Sequence, residues 1–334
     1  MTNSSTILKV ENLKISFSIE GQIFQAIEDI SFFLKKGEIL SIVGESGCGK
    51  TVTCLSLTKL LPEPPAIYES GSIKFYSQNI ESKNILEMSP SEICKIRRHI
   101  VAHIFQEPSV SLNPVFTIFE QISEVIDLRT TPCKNHKEEV ISLLAQVGIP
   151  DPEKKMMSYP HELSGGMQQR AMIAMALAAK PQILIADEPT TALDVTIQAQ
   201  ILDLIKELKD KNNMSVILIT HNLGIVSEVA NNVIVMYAGH IVEKGSSSEI
   251  IANPLHPYTK SLLSTVPRFG NEQKKLSTIP GTVPSPSNYP PGCRFFGRCP
   301  LAEQLTPEKR KLCENSKPEL KNLNGRFSKC HFSE

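Results

Sequence analysis

The chain has 334 residues, a length that predicts about two structural units. Its 35 Lys+Arg balance 35 Asp+Glu, so no basic field marks a general nucleic-acid binder, and 41% hydrophobic residues at zero net charge exclude disorder as the dominant state. No stretch approaches the roughly 20 apolar residues of a membrane span; the longest apolar run, Ala171–Ala179, reads as a buried helix.

The N-terminus, MTNSSTILKV, has neither a basic start nor an apolar h-region, so the expectation is a protein without a signal peptide that begins life in the cytosol. Strand-like segments follow at Leu8–Val10, Leu13–Phe17 and Ile30–Leu34. Glu38–Val43 is a short apolar run that feeds Gly44-Glu-Ser-Gly-Cys-Gly-Lys50-Thr51, and Val52–Leu61 reads as a helix. A mixed segment, 63–100, ends in basic Lys95, Arg97 and Arg98. Val101–Phe105 is a further apolar run, closed by Gln106-Glu107-Pro108. Residues 115–180 read as mainly helical: Val140, Leu143, Leu144 and Val147 recur on one helix face with Gly148 as a C-cap, and Ser164-Gly165-Gly166 opens a helix running to Ala179.

Ile183–Ala186 is a fully apolar strand ending at Asp187-Glu188, and Ile197, Ile201, Ile205 and Leu208 mark a helix face after it. Ser215–Thr220 is another apolar strand, and Val233–Met236 with His240–Val242 reads as a closing hairpin. Apolar strands separated by helices predict an α/β fold with a parallel sheet covered on both faces. A Pro-rich stretch, Ile279–Gly292, divides this body from a tail in which Cys293, Cys299, Cys313 and Cys330 crowd together. In a reducing compartment such a cluster points to a metal before disulfides.

Gly44–Thr51 matches GxxxxGK[ST] in full. Its glycines let backbone N–H groups converge on phosphate oxygens, and the helix that follows adds its positive N-terminal dipole. Gly44, Ser46, Gly47, Cys48, Gly49, Lys50 and Thr51 are therefore candidate nucleotide contacts, with Lys50 reaching the β- and γ-phosphates and Thr51 holding Mg²⁺ through its hydroxyl. An acidic pair that ends a strand often only caps a helix. At the carboxyl end of a strand in a sheet that also carries a phosphate loop, Asp187 suits Mg²⁺ binding through water and Glu188 suits the base that orients an attacking water.

Leu163-Ser164-Gly165-Gly166-Met167-Gln168-Gln169-Arg170 resembles the signature motif of ATP-binding cassette (ABC) ATPases. The remaining motifs stand in family order over about residues 6–268: Gln106 resembles the Q-loop, Ala192-Leu193-Asp194 the D-loop and His221 the switch histidine, while Phe17 sits where the family stacks an aromatic on adenine. Phe24 and a plain core role for Phe17 are the rivals to that last assignment. The resemblance implies a RecA-like P-loop core with a helical subdomain inserted at about 107–180. It also implies ATP and Mg²⁺ as cofactors, with Gln106 bridging Mg²⁺ and water and His221 bonding the γ-phosphate or the lytic water. Two cassettes would pair head-to-tail, so that each Ser164-Gly165-Gly166 closes on the other's nucleotide.

Pro290–Pro300 (PPGCRFFGRCP) and His256–Leu263 resemble the C-terminal region of dipeptide/oligopeptide permease ATPases. The fold expected is thus an α/β ABC ATPase at 6–268 plus a small irregular metal-binding tail at 269–334. From spacing alone, iron–sulfur and zinc are equal readings of the four cysteines. The resemblance implies a [4Fe–4S] cluster on Cys293, Cys299, Cys313 and Cys330, with zinc as the alternative; His331, next to Cys330, offers a substitute ligand. Nine Lys/Arg against four Glu between Arg294 and Lys329 suit an anionic cluster.

The partners implied are two transmembrane permeases, a second ATPase (a paralogue, or an identical copy) and a periplasmic or lipid-anchored solute-binding protein. No nucleic acid is implied, and the place is the cytoplasmic side of the inner membrane. The expected activity is ATP hydrolysis driving import of di- or oligopeptides. Nickel chelates and antimicrobial peptides stay open as cargo, as does a soluble iron–sulfur ABC ATPase in translation or redox regulation.

Overall fold

Asn12 adopts a left-handed conformation (φ 48°) between the segments Leu8–Val10 and Leu13–Phe17. It bulges the chain without ending the strand, so the two form one element, β1 (Thr6–Ile19). β2 (Gln22–Lys35), β3 (Ile39–Val43) and β4 (Ala66–Phe75) follow. The middle of the chain adds β5 (Val101–Ile104), β6 (Ile183–Asp187) and β7 (Ser215–Thr220). The last third adds β8 (Asn232–Tyr237), β9 (His240–Ser246), β10 (Lys321–Leu323) and β11 (Arg326–Ser328). The computed structural model describes residues 5–77, 82–129, 133–191, 193–265 and 279–333. They fall into two compact units, Met1–Glu87 with Thr220–Glu334, and Met88–Ile219.

In the first unit β1 pairs antiparallel with β2 on one side and β4 on the other. β4 was not legible in the mixed segment because it is half exposed and interrupted by Gly71. That glycine is required: at φ 109°, a Cβ there would lie 2.7 Å from Asn12 O and Leu13 Cα of β1. A second sheet of this unit runs β10-β11-β9-β8-β3. β3 is buried along its whole length and parallel to β8, as a strand covered on both faces must be. β8 and β9 form the expected hairpin across Ala238-Gly239, both at positive φ, the twist-matched two-residue turn.

The helix after the phosphate loop spans Lys50–Leu57, not Val52–Leu61. Gly49 (φ 102°) lets the first turn start at Lys50, and Lys59 in the left-handed region (φ 54°) ends it.

The tail departs most from expectation. It is not irregular: it contains a helix, Pro307–Asn315, and the hairpin β10–β11 turned on Asn324-Gly325 (φ 54° and 90°). β11 extends the sheet against β9 through Phe327↔Lys244 and Ser328↔Glu243. Nor does the Pro-rich stretch set the tail apart, because Ile279, Val283, Tyr289, Cys293 and Phe295 pack on the same core as Val43, Val235, Tyr237 and Tyr258. Burial of large apolar and aromatic surface is what joins them.

The second unit holds the parallel ladder β5-β6-β7 with β6 wholly buried. Its helices are Pro90–His99, Pro108–Ser111, Ile118–Asp127, His136–Gln146, Pro152–Lys155, Gly165–Ala178 and Val195–Asn212. The predicted apolar faces are largely buried: Val140, Leu143 and Leu144 on one helix with Val147 at its C-cap, and Ile201, Ile205 and Leu208 on another, whose Ile197 is half-buried. Gly148 takes φ 72° immediately beyond the first of these, the position of a left-handed C-terminal glycine. Among the described residues no helix is long and apolar enough to cross a membrane.

Candidate functional site

In the first unit β3 delivers the chain into Gly44–Thr51. Gly44 is buried so tightly that a Cβ would sit 2.3 Å from Met236 O and 2.7 Å from Cys48 Sγ. Cys48 is also buried, and burial pushes its thiol pKa up, so it packs the loop from beneath as a neutral group. Ser46, Gly47 and Thr51 are exposed, as groups that receive a ligand must be. Lys50 is buried along its stem and curls back, its Nζ donating to Gly44 O (2.8 Å) and Glu45 O (3.0 Å). The ammonium is thus held inside the cradle formed by the loop. Phe17 is half-buried and stands directly across the β1–β2 ladder from Phe24, so the two rival aromatics are neighbours. His221 is exposed at the end of β7, followed by Asn222, which caps the next helix through Gly224 N (2.9 Å).

In the second unit β6 ends at buried Asp187, and the chain turns at Glu188, which is held at φ 46°. A non-glycine residue in that region is strained, and such strain is characteristic of functional turns. Thr191 Oγ1 donates to Glu188 Oε2 (2.9 Å), and Gln106 Nε2 reaches the same oxygen at 3.4 Å. Thr191 was not singled out in the sequence; only its spacing of three from Glu188 hints at it.

Ser164 caps the helix Gly165–Ala178, accepting from Met167 N at 3.4 Å. Ser164 and Gly165 are exposed, and a Cβ on Gly165 would meet nothing within 4 Å, while one on Gly166 would touch only Ile197 Cγ2 at 3.5 Å. Packing among the described residues therefore does not demand glycine at 165. Asp194 caps Val195–Asn212, accepting from Ile197 N (3.0 Å), while Ala192 of the same motif lies outside the described residues.

The tail cysteines converge. Cys293, Cys299, Cys313 and Cys330 line one enclosed cavity of about 20 Å³, walled by Phe295, Phe296, Leu301, Leu305 and Phe332. Gly292 makes the convergence feasible: a Cβ there would lie 2.3 Å from Cys313 O, and Cys293 N donates to that same carbonyl at 2.7 Å. All four thiols are free and their pKa values raised by burial, Cys293 to about 12 and Cys313 to about 11.

Against the expectation of a formed metal site, no group of three or more His, Cys, Asp or Glu among the described residues is arranged to hold a metal ion. Neutral buried thiols have no mutual attraction to draw them into a ligand shell. His331 borders the cavity but shares its Nε2 with Ser316 O (2.9 Å).

The basic excess also has a different use from the one expected. Arg294, Arg298 and Arg326 each pair with a glutamate of the cassette (Glu28, Glu45 and Glu243), and Lys317 joins Glu28. None of the three arginine partnerships is visible as a motif.

Three family models match the chain. One describes the ABC transporter and covers residues 27–191, a second describes the oligopeptide/dipeptide transporter C-terminal region and covers residues 242–305, and a third describes an AAA domain, putative AbiEii toxin, Type IV TA system, and covers residues 158–227. The chain is 46% identical to the oligopeptide transport ATP-binding protein AppD of Bacillus subtilis, over 99% of this chain and 98% of that protein. It is 44% identical to the dipeptide transport ATP-binding protein DppD of Escherichia coli, over 98% and 96%. Among solved structures it is similar to the dimeric ATP-binding cassette MJ0796 in a post-hydrolysis state bound to ADP and phosphate, with 25% identity and a TM-score of 0.63 over 72% of this chain and 99% of that one. It is similar also to cbiO1 from Clostridium perfringens, with 28% identity and a TM-score of 0.63 over 75% and 92%. The chain therefore belongs to the ABC transporter ATP-binding family, in its oligopeptide/dipeptide transporter branch.

Proposed function

We propose that this chain is the ATP-hydrolysing subunit of an ABC importer, a translocase that takes up di- or oligopeptides. The observation that carries this reading is the phosphate loop: Gly44 pressed on Met236, Lys50 Nζ held at the loop carbonyls, and a helix starting at Lys50 itself. Gly44, Ser46, Gly47, Cys48 and Gly49 then form the cradle, and Lys50 meets the phosphates. Thr51, Asp187 and Gln106 offer the hard oxygen donors that Mg²⁺ prefers. Mg²⁺ held by these residues would supply the positive charge that offsets charge developing on the phosphates. Glu188, oriented by Thr191, accepts a proton from the attacking water, His221 bonds the γ-phosphate, and Phe17 stacks on adenine.

The open surface at Ser164, Gly165 and Gly166 favours a composite site, in which a second ATPase subunit brings its nucleotide against this helix N-terminus. Asp194 lies on the same dimer face in this reading. The permeases dock on exposed apolar residues that include Val115, Phe116, Met157 and Tyr159. These lie on segments tied by Ile118 N→Ser158 O and Phe119 N→Met156 O. The complex also includes a periplasmic or lipid-anchored solute-binding protein, and the subunit works peripherally at the cytoplasmic side of the inner membrane. Within it, residues 6–268 are the cassette, with helical residues 107–180 inserted, and 269–334 the tail.

Four soft thiol donors around one cavity suit an iron–sulfur cluster held by Cys293, Cys299, Cys313 and Cys330, which would staple the tail. Iron and sulfide analysis of anaerobically purified protein tests this; zinc in their place favours the alternative. The central test is Glu188→Gln, which retains ATP binding and loses turnover; wild-type turnover in this variant overturns the assignment of the base.

A further inference from the structure

Glu45 places a carboxylate inside a loop built to receive a polyphosphate. Like charges at short range cost binding free energy, so this carboxylate needs a partner that is not itself consumed by the phosphates. Lys50 Nζ bonds the loop carbonyls of Gly44 and Glu45. The partner is Arg298, which comes from the tail. Its Nη1 lies 2.8 Å from Glu45 Oε2 and its Nη2 2.9 Å from Glu45 Oε1, a two-pronged fork.

The guanidinium is held on every side. Nε donates to Pro280 O, Nη2 also to Gly281 O (3.1 Å), and Nη1 approaches Tyr237 Oη (3.4 Å). All five N–H donors are thereby used. The backbone of Glu45 is fixed as well, its N–H donating to Tyr258 Oη at 2.9 Å. Although burial alone would lower the pKa of the arginine, its bonds to Glu45 and Tyr237 outweigh that and raise it further, so the group stays charged.

We propose that Arg298 is a positioning residue for ATP binding: by forking onto Glu45 it neutralises the carboxylate of the phosphate loop and fixes the direction of the loop, so that the tail sets the affinity of the cassette for nucleotide. The proposal rests on the reading that Gly44–Thr51 binds ATP. Arg298 acts through Glu45 and not on the substrate. Loss of Arg298 leaves a half-buried carboxylate of the phosphate loop without its counter-ion, which weakens binding of a triphosphate to that loop while leaving the groups that carry out hydrolysis in place.

The test is equilibrium ATP binding to the purified full chain, with KM and kcat read in the assembled transporter. Wild-type binding is the control, and its absence overturns the functional reading rather than this one. Arg298→Ala is expected to weaken ATP binding about tenfold, the scale of an uncompensated, partly buried charge, and to raise KM by a similar factor at near-constant kcat. Arg298→Lys, which keeps the charge and loses the fork, falls between.

The decisive variant is Glu45→Gln/Arg298→Ala. Removing the carboxylate as well recovers most of the lost affinity if Arg298 acts through Glu45. A double variant as weak as Arg298→Ala, or Arg298→Ala binding like wild type, overturns the proposal. Should Arg298→Ala fail to fold by its melting transition, the same comparison is made between Arg298→Lys and Glu45→Gln/Arg298→Lys. Recovery of affinity in that double variant supports the proposal, and no recovery overturns it.

Discussion

Gln106 Nε2 stands 3.4 Å from Glu188 Oε2, joining two residues 82 positions apart. The contact is long for a hydrogen bond, whereas Thr191 Oγ1 holds the same oxygen at 2.9 Å. Glu188 therefore takes its orientation from its own turn first and from Gln106 second. Glu188→Gln is expected to lower kcat by roughly 10²–10⁴-fold, the usual worth of a positioned base, with nucleotide affinity preserved. Gln106→Ala and Thr191→Val should each lower kcat by a smaller factor, Thr191→Val the more. Steady-state ATPase assays on the assembled transporter order the three.

Gly165 has open space around its missing Cβ and no need of positive φ. Gly165→Asp is accordingly expected to leave the melting temperature of the isolated chain unchanged while abolishing ATPase activity in the transporter, because in the composite site proposed above the added carboxylate would face the nucleotide of the partner subunit. Ser164→Ala removes a helix cap and should cost about 1 kcal/mol of stability, measured by denaturant titration. The two variants separate the interface role from the local one.

Glu243 is fully buried and accepts from Leu255 N, His256 N and Arg326 Nη2, each at 2.9 Å. Arg326→Met leaves that charge without its counter-ion and should destabilise the protein by about 3–5 kcal/mol. Pairing it with Glu243→Gln should recover part of the loss. Chemical denaturation of the single and double variants reads the coupling.

His240 and His256 are buried and His103 is half-buried, and desolvation lowers the pKa values of His103, His240 and His256 from 6.5 to about 4, about 4 and about 3. All three are neutral in the fold at neutral pH, while the unfolded chain takes up protons once the pH drops below 6.5. The unfolded state then binds more protons, so the stability they contribute is complete above about 6.5 and is lost as pH falls toward 4. Melting temperature should decline across that window. His256→Gln should flatten the decline.

The cysteine cavity has its own pH signature. Cys293 and Cys313 are protonated well above neutrality, first through burial and then through the neighbouring thiols. If the proposed cluster forms on these cysteines, its loading must expel those protons, so reconstitution of the metal-free protein should improve as pH rises from 7 to about 9. Cys293→Ser and Cys313→Ser should each lose metal content. Metal analysis across pH checks both outcomes.

Local chemistry was well encoded in the sequence. The phosphate loop, the caps at Ser164 and Asp194, the strand ending at Asp187 and the buried stripe Ile201–Ile205–Leu208 each depend on residues within a few positions of one another, where glycine conformations, capping oxygens and helical periodicity leave direct marks. The Asn324-Gly325 turn carried the same kind of mark and predicts the hairpin that strand patterning, at three residues per strand, was too short to reveal. Family motifs added what periodicity lacks: a resemblance that implies one chemistry for Gln106, Glu188 and His221.

Tertiary structure alone decided how the tail is used. Arg298 and Glu45 are 253 positions apart, Arg326 and Glu243 are 83 apart, and four cysteines spread over the last part of the chain share one cavity. Nothing in the neighbourhood of an arginine in sequence says which carboxylate it will meet. That choice follows from where buried aromatic surface at Phe295, Tyr237 and Tyr258 pins the tail. Sequence determined that this chain carries an ABC ATPase's motifs; packing decided that its cysteine-bearing tail reaches the phosphate loop.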